Sequence, residues 1–257
     1  MPVNLAKKAF WENDYYWAEA ELPCRADMGL AFDRSLARAL AANAPVRAGE
    51  RVLEVGCAPA KWLIFYAERF EARVCGVEYS DKGARLSRQN LAAAGVSGEV
   101  HTSDFFAMQP QPHDLVVSIG FIEHFDEPAE VLARHLDFVA PGGRLAVGVP
   151  NFRGFNGMVQ RLAKPGHLAI HNTAAMRPAL FRSFAGAHDL ELLHLGYLGG
   201  FDPSIIALHR GSLLSPRRAI PGAITLVESR FRALAIADRL DHRWLSSYLL
   251  AVYRVGA

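Results

Sequence analysis

Apolar residues along this chain fall into short continuous runs separated by stretches of helical spacing. Val52, Leu53 and Val55 form the first run, broken by Gly56. Such a run predicts a strand buried on both faces. Pro59 and the apolar segment 62–66 then predict a helix. A second short run over 72–78 ends in an acid, Glu78. Ser80 caps a helix running to about Ala94, and Gly95 stops it. Strands three and four follow at 99–102 and 114–119, the latter apolar from Leu115 to Ile119 except for Ser118. A helix over 127–140 carries Val131, Leu132, Leu136 and Val139 on one side. The turn Pro141-Gly142-Gly143 leads to a fifth strand over 144–151. A helix over 176–184 and strands over 190–198 and 248–255 complete the pattern. The N-terminal stretch 5–42 reads as helical, ended by Asn43-Ala44-Pro45. Strands alternating with helices predict an α/β fold around a largely parallel sheet.

Composition narrows the picture. The 257 residues fit one α/β domain with additions: a helical cap over 1–45 and lid-like insertions over 152–185 and 203–243. With 51% hydrophobic and 21% charged residues, a packed core is expected rather than disorder. A net charge of +2 is too weak to point to nucleic acid. Cys24, Cys57 and Cys75 lack metal-ligand or redox spacing, which suggests a reduced, cytoplasmic protein. Cys57 at a helix start reads either as a nucleophile or as a small residue filling a turn. No secretory signal or membrane-spanning run of about 18 apolar residues is expected.

The turn after the first strand decides the ligand class. A dinucleotide site needs G-x-G-x-x-G; here those positions hold Gly56, Ala58 and Lys61. No P-loop lysine pattern follows either. What stands is Glu54-x-Gly56-x-Ala58-x-Ala60. This resembles the first motif of class I S-adenosylmethionine (SAM)-dependent methyltransferases, with alanine at two of the three usual glycines. Three later features extend the resemblance over about 46–151: Glu78, 22 residues after Gly56; the Glu123-His124 exit of the fourth strand; and the helix, Pro-Gly-Gly turn and fifth strand. The resemblance implies a Rossmann-like, seven-stranded, mostly parallel sheet with helices on both faces, the seventh strand antiparallel to the sixth. It implies cofactor contacts from Glu54, Gly56, Cys57, Ala58, Glu78, Tyr79, Asp104, Phe105 and Gly120. Glu78 would take the ribose hydroxyls, and Asp104 with Phe105 the adenine.

His124 is the expected general base or orienting group, with Tyr16 second. Tyr15, Trp17, Asn151 and His171 are candidate substrate residues. The aromatic cluster at 10–17 reads either as a lid or as a helix stapled to the core. His167 and His171 are four apart but lack a nearby carboxylate in their segment, so no metal is expected. From Arg210 to Arg243 seven arginines face Glu228, Asp238 and Asp241. This segment reads as a basic surface helix or, preferably, as a lid or dimer helix. The expected activity is methyl transfer to a small molecule. Cyclisation or lysis of SAM, releasing methylthioadenosine, and non-catalytic SAM binding are the alternatives. A homodimer is compatible; nucleic acid is not an expected partner.

Overall fold

Each short apolar run forms a strand. β1 (Arg51–Val55), β2 (Arg73–Glu78), β3 (Gly98–Thr102), β4 (His113–Ile119), β5 (Val139–Pro150), β6 (Glu191–Leu198) and β7 (Tyr248–Arg254) make one sheet, ordered β3-β2-β1-β4-β5-β7-β6. The first five pair in parallel, and β7 runs antiparallel to both β5 and β6. The computed structural model describes residues 1–14, 22–163, 165–200 and 241–256. Its helices are α1 (Ala31–Asn43), α2 (Lys61–Phe70), α3 (Asp81–Ala94), α4 (Pro128–Leu136), α5 (Phe155–Ala163), α6 (Pro165–Ala169) and α7 (Pro178–Ala187).

The side-chain period of two divides the core between the two faces of the sheet. Val52 joins Leu36 and Leu40 of α1, Leu63 of α2 and Leu91 of α3. Its neighbour Leu53 joins Val131 and Leu132 of α4 and Phe181 of α7 on the other face. Each fully buried aliphatic side chain stabilises the fold by roughly 1.5–3 kcal/mol. Strand order reverses between β1 and β4. In sheets of this kind a ligand crevice opens there, at the carboxyl ends of the strands.

Three expectations are corrected. The segment 5–42 is not one helix: a single turn occupies Phe10–Asp14, and α1 begins only at Ala31. Pro23 removes a backbone donor. The main chain after it is held by side chains instead: Asn90 exchanges hydrogen bonds with Cys24 at 2.6 and 2.9 Å, and Asp33 accepts from the Asp27 amide at 2.8 Å. Such bonds compete with helical ones. Pro59 does not start α2; Ala60 follows it in the left-handed region, φ +70°, and the helix begins at Lys61. The helix expected to reach Ala140 ends at Leu136, because Val139 already pairs with His113; an irregularity in β5 absorbs Pro141-Gly142-Gly143.

His135 on α4 is fully buried against Phe105 and Phe121, from the loops after β3 and β4. Its Nδ1–H donates to Val131 O at 2.7 Å. Burial holds its pKa down at about 4. The unfolded chain therefore binds a proton near pH 6.5 that the folded chain refuses until about pH 4. Stability should fall by roughly 2–3 kcal/mol as pH drops through that window. Urea denaturation at pH 7 and pH 4.5 checks this: His135→Phe should show a smaller acid loss than the parent.

Candidate functional site

The turn after β1 is built around backbone that favours glycine. Gly56 has φ +71°, and a Cβ there would stand 3.0 Å from Phe121 Cδ2. The Gly56 amide donates to Val77 O at 2.9 Å, which pins the turn to β2. Ala60 takes the left-handed conformation that the third glycine of the resembled motif would adopt without strain. Glu78, at the end of β2, reaches under this turn. Its Oε2 accepts from the Ala58 amide at 3.3 Å and its Oε1 from the Ser80 amide at 2.8 Å. Burial raises its pKa, and those hydrogen bonds pull it back. Glu54 is almost fully buried, and its Oε2 has no hydrogen-bond partner among the described residues. Burial holds its pKa well above the usual range.

Lys61, which breaks the dinucleotide motif in the sequence, has a structural partner in the fold. Its ammonium in fact bonds Asp33 of α1 at 2.6 Å and lowers the Glu54 pKa through its charge. The lysine thus ties the glycine turn to the N-terminal cap. Its partner is a residue 28 positions away, and no local spacing signals it.

Several expected residues sit elsewhere. The Cys57 thiol is buried, 4.0 Å from Ser87 Oγ, and burial pushes its pKa well up. The thiol fills the turn, the second of the two readings its position in the sequence offered. Phe105 points into the core against Phe138 and His135 and offers no exposed face to an adenine. Asn151 is fully buried; its amide donates to the carbonyls of Arg243 and Ser246 at 3.0 and 2.9 Å. Its side chain braces β5 against the chain entering β7. Asp104 stands exposed at the end of the loop after β3, accepting from Phe106 N at 2.9 Å. Tyr79 lies partly exposed beside Glu78, with the Lys8 ammonium 5.4 Å above its ring. Gly120 has φ +77°, and a Cβ there would lie 3.4 Å from Tyr248 Oη and 3.6 Å from Glu123 Oε1. Tyr15, Tyr16, Trp17 and all of 203–243 before Asp241 lie outside the described residues.

Past Gly120, the chain brings Glu123, His124 and His171 together, with one ligand-type atom from each within 4.8 Å of the others. His171 does not share a helix face with His167, because α6 ends at Ala169. Asn172 delivers it instead. The Asn172 amide nitrogen of the main chain donates to Glu123 O at 2.6 Å, and its side chain donates to the carbonyls of Phe125 and Asp126. His124 Nδ1 lies 2.9 Å from Ile170 O and donates to it, which in the neutral ring leaves Nε2 as the unprotonated nitrogen. That Nε2 is 3.8 Å from Glu123 Oε1. Glu123 is 1% exposed, and burial pushes its pKa up to about 8.

Two positive-φ glycines flank the switch point, and buried carboxyl groups of Glu54 and Glu78 stand beside them. A ligand with hydroxyls and cationic groups suits such carboxyls, and the orphaned Glu54 oxygen is an acceptor that a donor would satisfy. The residues therefore fit SAM.

The comparisons agree. The sequence model of a methyltransferase domain matches residues 25–195. A trans-aconitate 2-methyltransferase of Paracidovorax citrulli is 30% identical over 146 residues, which is 55% of this chain and 51% of the relative. A ubiquinone biosynthesis O-methyltransferase of Thiobacillus denitrificans is 33% identical over 102 residues, 37% of this chain and 42% of the relative. The matched segment thus spans about half the length of these relatives. Among solved structures, a SAM-dependent methyltransferase from Thiobacillus denitrificans bound to S-adenosylhomocysteine superposes with TM-score 0.57 at 17% identity, over 84% of this chain and 89% of that one. The [4+2]-cyclase SpnF superposes with TM-score 0.58 at 17% identity, over 86% and 81%. These two likenesses speak to fold alone. With its matching domain covering more than half the sequence, this chain belongs to the class I SAM-dependent methyltransferase family, whose cofactor is S-adenosylmethionine.

Proposed function

We propose that this chain moves a methyl group from SAM to an oxygen of a small-molecule acceptor. The observation that carries the reading is the pairing of a glycine turn and buried acids at the β1/β4 switch point with a lone-pair cluster, Glu123-His124-His171, on its far side. Relatives of the same family are named for O-methylation in ubiquinone biosynthesis and for 27-O-demethylrifamycin SV. SAM supplies an activated methyl carbon on a sulfonium. The protein's task is then to align the acceptor and keep water out, and alignment can supply roughly 7–11 kcal/mol of the barrier.

On the cofactor side, Glu54, Gly56, Ala58, Glu78, Tyr79, Asp104 and Gly120 remain the assigned residues. Glu78 keeps acceptor capacity beyond its two amide bonds, enough for ribose hydroxyls. On the acceptor side, His124 presents Nε2 as a lone-pair donor. The N-terminal strap bridges the two sides. The Leu5 amide donates to His124 O at 2.7 Å, Asn4 pairs with Phe125, and Lys8 meets Asp81 at the start of α3 at 2.9 Å. A strap across the crevice favours a small, enclosed acceptor.

Incubation with SAM alone, read by mass spectrometry, tests the reading. No methylthioadenosine should form, and S-adenosylhomocysteine should accumulate only with an acceptor present. Methylthioadenosine without acceptor would favour cyclisation or lysis. His124→Ala should slow turnover by about 100-fold or more while SAM still binds; full activity would remove His124 from the acceptor side.

A further inference from the structure

We infer that Glu123, His124 and His171 form a binding site for a divalent transition-metal cation of the Zn2+ class, with coordination positions left for an acceptor oxygen. The acceptor part rests on the methyltransferase reading above; the cation site itself stands on its own geometry. It reverses the sequence-based expectation of no metal. That expectation missed the carboxylate because Glu123 lies 48 positions before His171 and meets it only through the fold.

Two imidazole nitrogens and one carboxylate oxygen suit Zn2+ and its first-row neighbours better than Mg2+ or Ca2+, which prefer all-oxygen sets. A cation about 2.0–2.2 Å from each ligand would draw the three atoms, now within 4.8 Å of one another, to roughly 3–3.5 Å apart, a closure of up to about 1.3–1.8 Å. Side-chain rotation in Glu123 and His171 can provide it.

Three features distinguish the cluster from a chance grouping. His124 is held by its Nδ1 hydrogen bond to Ile170 O at 2.9 Å, which fixes Nε2 as the ligating atom. Histidines that bind metals are generally oriented in this way. Glu123 is 1% exposed, and its Oε2 has no hydrogen-bond partner among the described residues. A buried polar oxygen without a partner is costly, and a cation would satisfy it. Finally, Trp11 stands edge-on to His124 at 4.9 Å, and Phe152 packs on His171 at 5.0 Å. Aromatic walls limit water around the ligand atoms and strengthen their hold on a charge.

Three protein ligands leave positions open, as in catalytic rather than structural zinc sites. Gly120 is adjacent to Glu123 Oε1 and adds no side chain of its own there. An acceptor carrying a carboxylate, phenol or hydroxy-acid oxygen could enter and ligate. A bound cation lowers the pKa of such an oxygen, as it does for water. The acceptor class is therefore one of metal-ligating oxygen compounds.

The test uses full-length, tag-free protein stripped with a chelator and titrated with Co2+, whose visible absorption intensifies in a low-symmetry nitrogen–oxygen site. The parent should take up one equivalent, displaced by Zn2+. Glu123→Gln, which preserves shape, and His171→Ala, in a loop, should each bind at least tenfold more weakly. Both variants should still bind S-adenosylhomocysteine in a calorimetric titration, which reports that they are folded. No Co2+ band in the parent, or equal uptake by the variants, would overturn the site. Failure of the calorimetric titration in the parent would instead count against the methyltransferase reading and leave the metal result to be judged separately.

Discussion

Replacing Lys61 with methionine should lower the free energy of unfolding by about 4 kcal/mol, because it leaves a buried carboxylate unpaired. Asp33 is 3% exposed, and its carboxylate bonds the Lys61 ammonium at 2.6 Å. Its other oxygen accepts from the Asp27 amide at 2.8 Å. Methionine replaces the stem of Lys61 beside Trp62 but not its charge. Asp33 then faces the core with one amide for company, and Glu54 loses the cation that eases its own burial. For a chain of this size the loss corresponds to a fall in melting temperature of roughly 10 °C. Pairing Lys61→Met with Asp33→Asn should recover about half of it, since a neutral amide keeps the bond from Asp27. Chemical denaturation of the four proteins gives the double-mutant cycle. A Lys61→Met protein within about 1 kcal/mol of the parent would show that the pair lies open to solvent.

Glu78→Ala should weaken S-adenosylhomocysteine binding by several hundred-fold. Hydrogen bonds to a charged group contribute about 1.5–3 kcal/mol each, and the proposed ribose contact uses two. The same substitution also frees the amides of Ala58 and Ser80, so the glycine turn loses its support from below. Glu78→Gln separates the two effects. Its carbonyl oxygen can keep one amide bond, and binding should fall only about tenfold. Isothermal titration of both variants, with circular dichroism to report folding, checks the order. If Glu78→Ala bound as tightly as the parent, the ribose assignment would fail.

The sheet was legible in the sequence because strands buried on both faces are apolar at nearly every position, with only Glu54 and Ser118 breaking the two central runs. Val52-Leu53 and the run from Leu115 to Ile119 announce themselves for that reason. The positions of Glu54, Gly56, Glu78 and Gly120 along the sheet's carboxyl edge were legible too, since a strand's end fixes where its last residues stand. What sequence could not give was the direction of a side chain just past a strand. Phe105 and Asn151 both follow strand ends. One turns into the core and the other spends its amide on the backbone. Contacts across long separations were equally hidden. Lys61 meets Asp33 and His171 meets His124 only because α1 and the loop held by Asn172 fold back onto the site. The N-terminal stretch misled because helical spacing of apolar residues says nothing about Asn90 and Asp33, whose side chains hold the main chain after Pro23 in another shape.

The account stands most directly on calorimetric titration of the unmodified protein with S-adenosylhomocysteine. One saturable site per chain is expected, with a higher melting temperature in the ligand's presence and no comparable response to NADH. Absence of binding by a folded protein, or tighter binding of the dinucleotide, would contradict the assignment of the β1/β4 crevice.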